Sequence, residues 1–338
     1  MNRKGVCYDV GKFFLPERST RPIFDRDAVR REMTILRNDL HCNAVRISGY
    51  DIDRLTFAAE TAAENGLEVW FSPSIIDSDE VTTLAYLTEC AGAAEALRQK
   101  YSDVVFLVGC EWSLFSRGIL AGNSFMERIK SLSDPSFWGS GGMTRVAPLL
   151  NQRLAAAAQT VRMGFHGPLS YASGTWEPVD WTPFDFVGID HYRDSGNAPI
   201  YVDELRRSFS AGKPVVITEF GCCTYRGAQD RGGMGWAIID WTKSPPEFAG
   251  HFERDEQVQV DYILDLLTIF EAENVNGAFV FTFLMPQSEN DGRRVDDFDL
   301  ASYNIVKSLG GRSGLAYPGL PWEPKAVFFA IAKRFAAL

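Results

Sequence analysis

The chain has 338 residues, 46% apolar and 23% charged, with a formal net charge of −10. That is a globular composition with ample core, and its acidic balance argues against nucleic acid or an anionic membrane as partner. No run of about 18 apolar residues marks a membrane span, and Met1–Asp9 lacks the apolar stretch of a signal peptide, so a cytoplasmic protein is expected.

Strand-like and helix-like segments alternate from the start. Gly5–Asp9 reads as a first strand, followed by a helix from Asp25 to Leu40 with Val29, Met33 and Leu36 at helical spacing. Cys42–Ser48 is the second strand, and the helix Ile52–Asn65 stops at Gly66. Leu67–Ser72 is the third strand, before a long helix over Asp79–Lys100. Val104–Glu111 is the fourth. A polar, Gly-rich loop over about 114–143 follows, longer than an ordinary connection.

A helix is expected at Leu149–Met163, then strands at Pro168–Ala172 and Phe184–His191. Val202–Phe209 is a short helix and Pro214–Glu219 the seventh strand. A second long loop, about 222–253, carries Trp236 and Trp241. The helix Gln257–Glu273 and the strand Gly277–Phe283 follow, then a polar excursion over about 285–321 and a final helix, Pro324–Ala337.

Eight strands, most followed by a helix, imply a parallel α/β sheet. Eight such units predict one (β/α)8 TIM barrel spanning 1–338, with long loops after strands four, seven and eight. A doubly wound open sheet is the alternative, weakened by the absence of G-x-G-x-x-G after the first strand. The six cysteines form no C-x-x-C pair and read as buried thiols in a reducing compartment. Only the adjacent Cys222 and Cys223 invite a vicinal bridge, a strained one.

Two strands end in a lone acid: Val104–Ser113 at Glu111, and Val215–Gly221 at Glu219. Alternation puts Val105, Leu107, Gly109 and Glu111 on one face, and Val215, Ile217 and Glu219 on one face. If those faces line the barrel, both carboxylates emerge at the C-terminal rim, where such barrels carry their chemistry. Two facing carboxylates can divide the roles of proton donor and nucleophile at a glycosidic bond.

Gly109-Cys110-Glu111-Trp112 and Ile217-Thr218-Glu219-Phe220-Gly221 resemble the motifs of the clan A retaining glycoside hydrolases. The resemblance covers the strand pattern from first to eighth. It implies that Glu111 is the acid/base and Glu219 the nucleophile. The clan has Asn where this chain has Cys110, a residue that holds the hydroxyl next to the anomeric carbon. A thiol is a poor substitute donor, and by alternation Cys110 should face away from Glu111.

The resemblance also implies that Arg46, in Ala44–Ser48, braces the nucleophile, and that His191 or Tyr192 bonds it. Strand parity leaves those two open. Tyr8 and Asp9 close the first strand and are candidates for the innermost sugar subsite. The predicted rim is rich in aromatics: Trp70, Trp112, Trp176, Trp181, Trp236 and Phe283. Flat rings suit the apolar faces of sugars. Trp112 and Trp176 are the preferred platforms, and Phe283 stands where the clan offers a Trp.

No metal or other cofactor is expected: the four histidines form no H-x-H or H-E-x-x-H. The acids Asp291, Asp296, Asp297 and Asp299 read as a solvated loop. The expected function is retaining hydrolysis of a small-molecule or oligosaccharide glycoside. Alternatives are a catalytically weak carbohydrate-binding or scaffold barrel, or a barrel hydrolase or lyase acting on a non-sugar substrate. Nothing in the sequence indicates an oligomeric state.

Overall fold

A computed structural model describes residues 1–15, 17–240, 242–244, 246–286 and 297–338. Trp241, Asp291 and Asp296 lie outside the described residues. Eight parallel strands close a barrel: β1 (Arg3–Gly11), β2 (Ala44–Gly49), β3 (Glu68–Pro73), β4 (Val104–Cys110), β5 (Leu169–Gly174), β6 (Val187–Asp190), β7 (Val215–Phe220) and β8 (Gly277–Val280). Each pairs with its sequence neighbours, and β8 closes onto β1. The fold is a (β/α)8 barrel.

Helices pack outside the barrel, except between β5 and β6, where residues 175–186 form turns. Several start at an aspartate cap. Asp25, Asp51, Asp79 and Asp255 each accept a backbone N–H of the first helical turn, each worth about 1 kcal/mol. The segment expected as a loop after β4 holds two short helices, Phe125–Leu132 and Pro135–Gly139. The next helix starts early, at Gly142. Ser124 caps the first of these, its side chain accepting from Glu127 N, while Glu127 Oε2 accepts from Asn123 N at 2.8 Å.

Two apolar layers result. Cys7, Ala44, Trp70, Val105, Leu107, Ala172, Val216 and Phe279 fill the barrel interior. A larger layer, including Tyr8, Val45, Ile47, Val215, Ile217 and Phe283, packs between barrel and helices. Trp70 is therefore floor, not rim, and its indole donates to Glu68 at 2.8 Å. All six cysteines are free, Cys222 and Cys223 included. Among the described residues, no helix is long and apolar enough to cross a membrane.

Candidate active site

Register decides what reaches the mouth. β2 and β3 pair without a break from Ala44–Glu68 to Gly49–Pro73, so alternation along them holds. Ala44 and Arg46 point inward; Val45 and Ile47 point outward. β4 and β7 do not hold register. Between Leu107 and Cys110, three steps of β4 match two on β5. Between Ile217 and Glu219, two steps of β7 match one on β6. Each strand carries one extra residue, a β-bulge, which flips the faces beyond it.

The bulges correct two sequence expectations. Val215 and Ile217 belong to the outer layer and Val216 to the interior, so Glu219 does not share their face. Cys110 does not face away. Its Sγ lies 3.3 Å from Asp190 Oδ2 and 3.9 Å from Glu219 Oε1. Glu111 is past the strand altogether, with φ 41° and ψ 54° in the left-handed region, at the head of the turn Trp112–Phe115. A non-glycine residue there is uncommon and tends to mark a functional position. Its N–H is pinned to Ala172 O at 2.8 Å.

Besides the Cys110 thiol, Glu219 receives two donors. Arg46 Nη1 gives a hydrogen bond to Oε1 at 2.9 Å, and Tyr192 Oη gives one to Oε2 at 3.1 Å. The side chain keeps 13% of its surface exposed, so it is held yet reachable. Arg46 is almost wholly buried. It also donates to Thr218 O at 3.0 Å and Ser72 Oγ at 3.3 Å, and lies 3.6 Å from Asp190 Oδ1. A buried guanidinium needs this saturation, because an unpaired buried charge is costly.

Among the described residues, Glu111 has no such cation beside it. Part of its surface is open at the mouth, but the packed protein around it makes desolvation the leading cause of a pKa raised well above the usual range. The charges of Asp190, Glu219 and Glu177 add to the rise, and Arg46 opposes it. A carboxyl that keeps its proton beside one gripped by an arginine is a division of labour set by environment.

Sequence reasoning missed Asp190 and Glu177. Asp190 accepts from Thr218 Oγ1 at 2.7 Å and from Cys110. Burial, then Glu219, push its pKa up to about 8. Alternation along Asp190-His191-Tyr192 would have found it: in, out, in. Glu177 accepts from Ser113 N and Tyr171 Oη, both at 2.8 Å, beneath Glu111. No local signal marks it, because it sits in the turn segment after β5.

Several predicted contacts are not at the mouth. Tyr8 is in the outer layer, stacked on Phe283 and donating to Glu32. Phe283 is fully buried there, against Trp322. His191 stacks on Tyr201 at 3.9 Å, its ring nitrogens without hydrogen bonds, and burial lowers its pKa to about 3. Of the two residues left open, Tyr192 is the one on Glu219. Trp112 is buried over Gly109 and edge-on to Tyr171. Trp181 caps Phe184, and its carbonyl accepts from Lys213 just before β7, at the barrel's other end. Trp176 stays partly exposed at the end of β5, its indole donating to Ser113 Oγ at 3.0 Å. Asp9 points inward and is buried. On β8 the inward residues are Phe279 and Phe281, so Phe281 takes the place assigned to Phe283.

Donor atoms of Cys110, Asp190 and Glu219 lie within 4.8 Å of one another. That spacing would suit a cation, but the Arg46 guanidinium already lies between two of them.

The closed eight-stranded barrel recurs among solved structures. A GH113 β-1,4-mannanase, solved in a complex, superposes with a TM-score of 0.63 at 14% identity, covering 99% of both chains. The GH113 β-mannanase of Alicyclobacillus acidocaldarius, in complex with ManMIm, gives 0.62 at 14%, covering 98% of this chain and 96% of that one. The β-D-glucuronidase of Dictyoglomus thermophilum gives 0.59 at 14%; all of this chain matches 51% of that one. At such identities the likeness is one of fold. No family model matches the chain, and no curated protein does.

Proposed function

We propose that the protein is a retaining glycoside hydrolase, its 338 residues acting as one catalytic domain. The observation that carries this reading is the opposite treatment of two carboxyls at one mouth. Glu219 is gripped by Arg46 and Tyr192, and Glu111 is kept protonated by burial and neighbouring acids. Glu219 attacks the anomeric carbon as Glu111 protonates the leaving oxygen. Glu111 then takes a proton from water, which displaces Glu219 and leaves the anomeric configuration unchanged.

The solved neighbours act on β-linked mannan or on glucuronides, which supports a β-linked pyranoside as substrate. Trp176, half exposed beside the acid/base, is the platform for the leaving-group side. Proton NMR of the first product from an aryl β-glycoside tests the mechanism. The β-anomer first, with turnover abolished in Glu219→Gln, is expected. An α-anomer first, or an active E219Q, contradicts it.

One observation favours a second reading, a carbohydrate-binding barrel without turnover. Cys110 offers its thiol to Asp190 where the resembled clan offers an amide to the sugar. Sugar binding without any product from the wild-type protein would favour it.

A further inference from the structure

Glu111 owes its direction to a left-handed turn, and that turn is held from outside its own strand. A non-glycine residue with such a backbone persists only where its surroundings over-determine it. Glu111 N is tied to β5 through Ala172 O, and Glu111 O accepts from Leu114 N and Phe115 N, each at 2.8 Å. The amides between, of Trp112 and Ser113, have no partner within so short a turn. Side chains capture both. Trp112 N donates to Tyr171 Oη at 2.5 Å, and Ser113 N donates to Glu177 Oε1 at 2.8 Å.

Glu177 links the two captured amides. Tyr171 Oη accepts from Trp112, so its own proton goes to Glu177 Oε2 at 2.8 Å, and Ser173 Oγ approaches the same oxygen at 3.3 Å. Both carboxylate oxygens therefore accept, a pattern that suits the ionised form. Burial raises the Glu177 pKa, and the bonds from Ser113, Tyr171 and Ser173 pull it back. Next to it, Trp176 Nε1 donates to Ser113 Oγ at 3.0 Å. Asn151, on the helix Gly142–Arg162, anchors this segment, donating to Pro178 O at 2.9 Å and accepting from Asp180 N at 2.7 Å. Ser113, Tyr171, Ser173 and Glu177 are all buried, so a lost partner is not made good by bulk water.

We propose that Glu177 is a positioning residue for the proton donor: through Ser113 and Tyr171 it holds the turn that aims the Glu111 carboxyl into the mouth. The inference rests on the glycosidase reading and adds a group that acts through Glu111. Charge gives it a second hold. Among the described residues, the groups acting on Glu111 are Asp190 on β6, Glu219 on β7, Glu177 after β5, Arg46 on β2 and Cys110 on β4. Arg46 draws the proton of Glu111 off, and the Glu177 charge works with Asp190 and Glu219 to keep it. A residue that served only the fold would leave the aim and the proton of Glu111 unchanged in the folded chain.

The test is Glu177→Gln in the full-length protein, with Tyr171→Phe as a second variant that removes one hydroxyl. Gln keeps an acceptor for Ser113 N, loses the charge and turns an N–H towards the Tyr171 hydroxyl. Turnover is measured against pH on phenyl and dinitrophenyl β-mannosides, a poor and a good leaving group. Carbon-13 NMR follows the Glu111 carboxyl, assigned by its absence in Glu111→Gln. In E177Q, kcat on the phenyl mannoside should fall about 10- to 100-fold, and far less on the dinitrophenyl one. The alkaline limb and the Glu111 titration should both move to lower pH, by about half a unit. Y171F should show the same split between leaving groups with a smaller pH shift. Equal losses on both substrates, or a limb and a titration that stay in place in E177Q, would overturn the proposal. Should E177Q not fold, Y171F decides: the split supports the proposal, and wild-type turnover of the phenyl mannoside overturns it. A wild-type protein without turnover, whose Glu111 titration still moves in E177Q, removes the glycosidase and keeps the hold of Glu177 on Glu111. Wild-type turnover matched by both variants removes that hold and keeps the glycosidase.

Discussion

β2 and β3 run in register to their ends, while β4 and β7 each slip by one residue just before their glutamate. On the regular pair, alternation alone places Arg46 inward, with Ser72 beside it. On the bulged pair it fails, and the failure is what brings Cys110, Thr218 and Glu219 together around Asp190 and Arg46. Bulges re-aim side chains near active sites at the expense of ladder hydrogen bonds. The regular strands supply a fixed brace, and the irregular ones supply the groups it holds.

Removing Glu111, the proposed proton donor, from the bulged side should have the largest effect. Glu111→Ala is expected to lower kcat by about 10²- to 10⁴-fold for a poor leaving group, and much less for an activated aryl glycoside. Steady-state kinetics on the two substrates checks this; equal losses would deny Glu111 the acid role.

The brace comes next. Arg46→Met leaves Asp190 and Glu219 without their shared cation. Thermal or urea unfolding should register a loss of about 3–5 kcal/mol. A loss under 1 kcal/mol would mean that the regular strands do not carry the site.

Asp190→Asn tests the link between the two sides. An unfolded Asp releases its proton near pH 4, and in the fold the pKa is pushed up to about 8. Between roughly those limits the native state holds the extra proton, so stability falls as pH rises. D190N should flatten that decline in unfolding measured from pH 5 to 8. It also removes the largest charge holding the pKa of Glu111 up. The alkaline limb of kcat/KM should move to lower pH, by about one unit. A limb that stays in place would separate Asp190 from the proton donor.

The smallest effect belongs to the outward side of the same run. His191→Phe replaces two ring nitrogens that make no hydrogen bond, Nε2 lying 3.6 Å from Glu204 Oε2, in a stack with Tyr201. Stability should change by less than about 1 kcal/mol and turnover by less than about twofold. A large loss of activity would place the imidazole in the site after all.

The barrel was legible in the sequence because its eight apolar runs and intervening helices are punctuated by Gly, Pro and Asp caps. The glutamates were legible because each ends such a run. Their facing was not, because both faces of a parallel strand are apolar. Val215, Val216 and Ile217 look alike whether they point in or out, and a one-residue bulge leaves no compositional trace. Asp190 and Phe281 were readable, given the inward neighbours Gly188 and Phe279. Tyr8, Trp112, His191 and Phe283 were misplaced because aromatic and polar-tipped rings serve the outer packing layer equally well.

The most direct measurement is mass spectrometry of the protein treated with an activated 2-deoxy-2-fluoro-β-mannoside. One fluorosugar per chain, on the peptide carrying Glu219 and absent from E219Q, is the predicted result. A label on Asp190 or Cys110 instead, or steady hydrolysis of aryl β-mannosides with no label trapped, would contradict it.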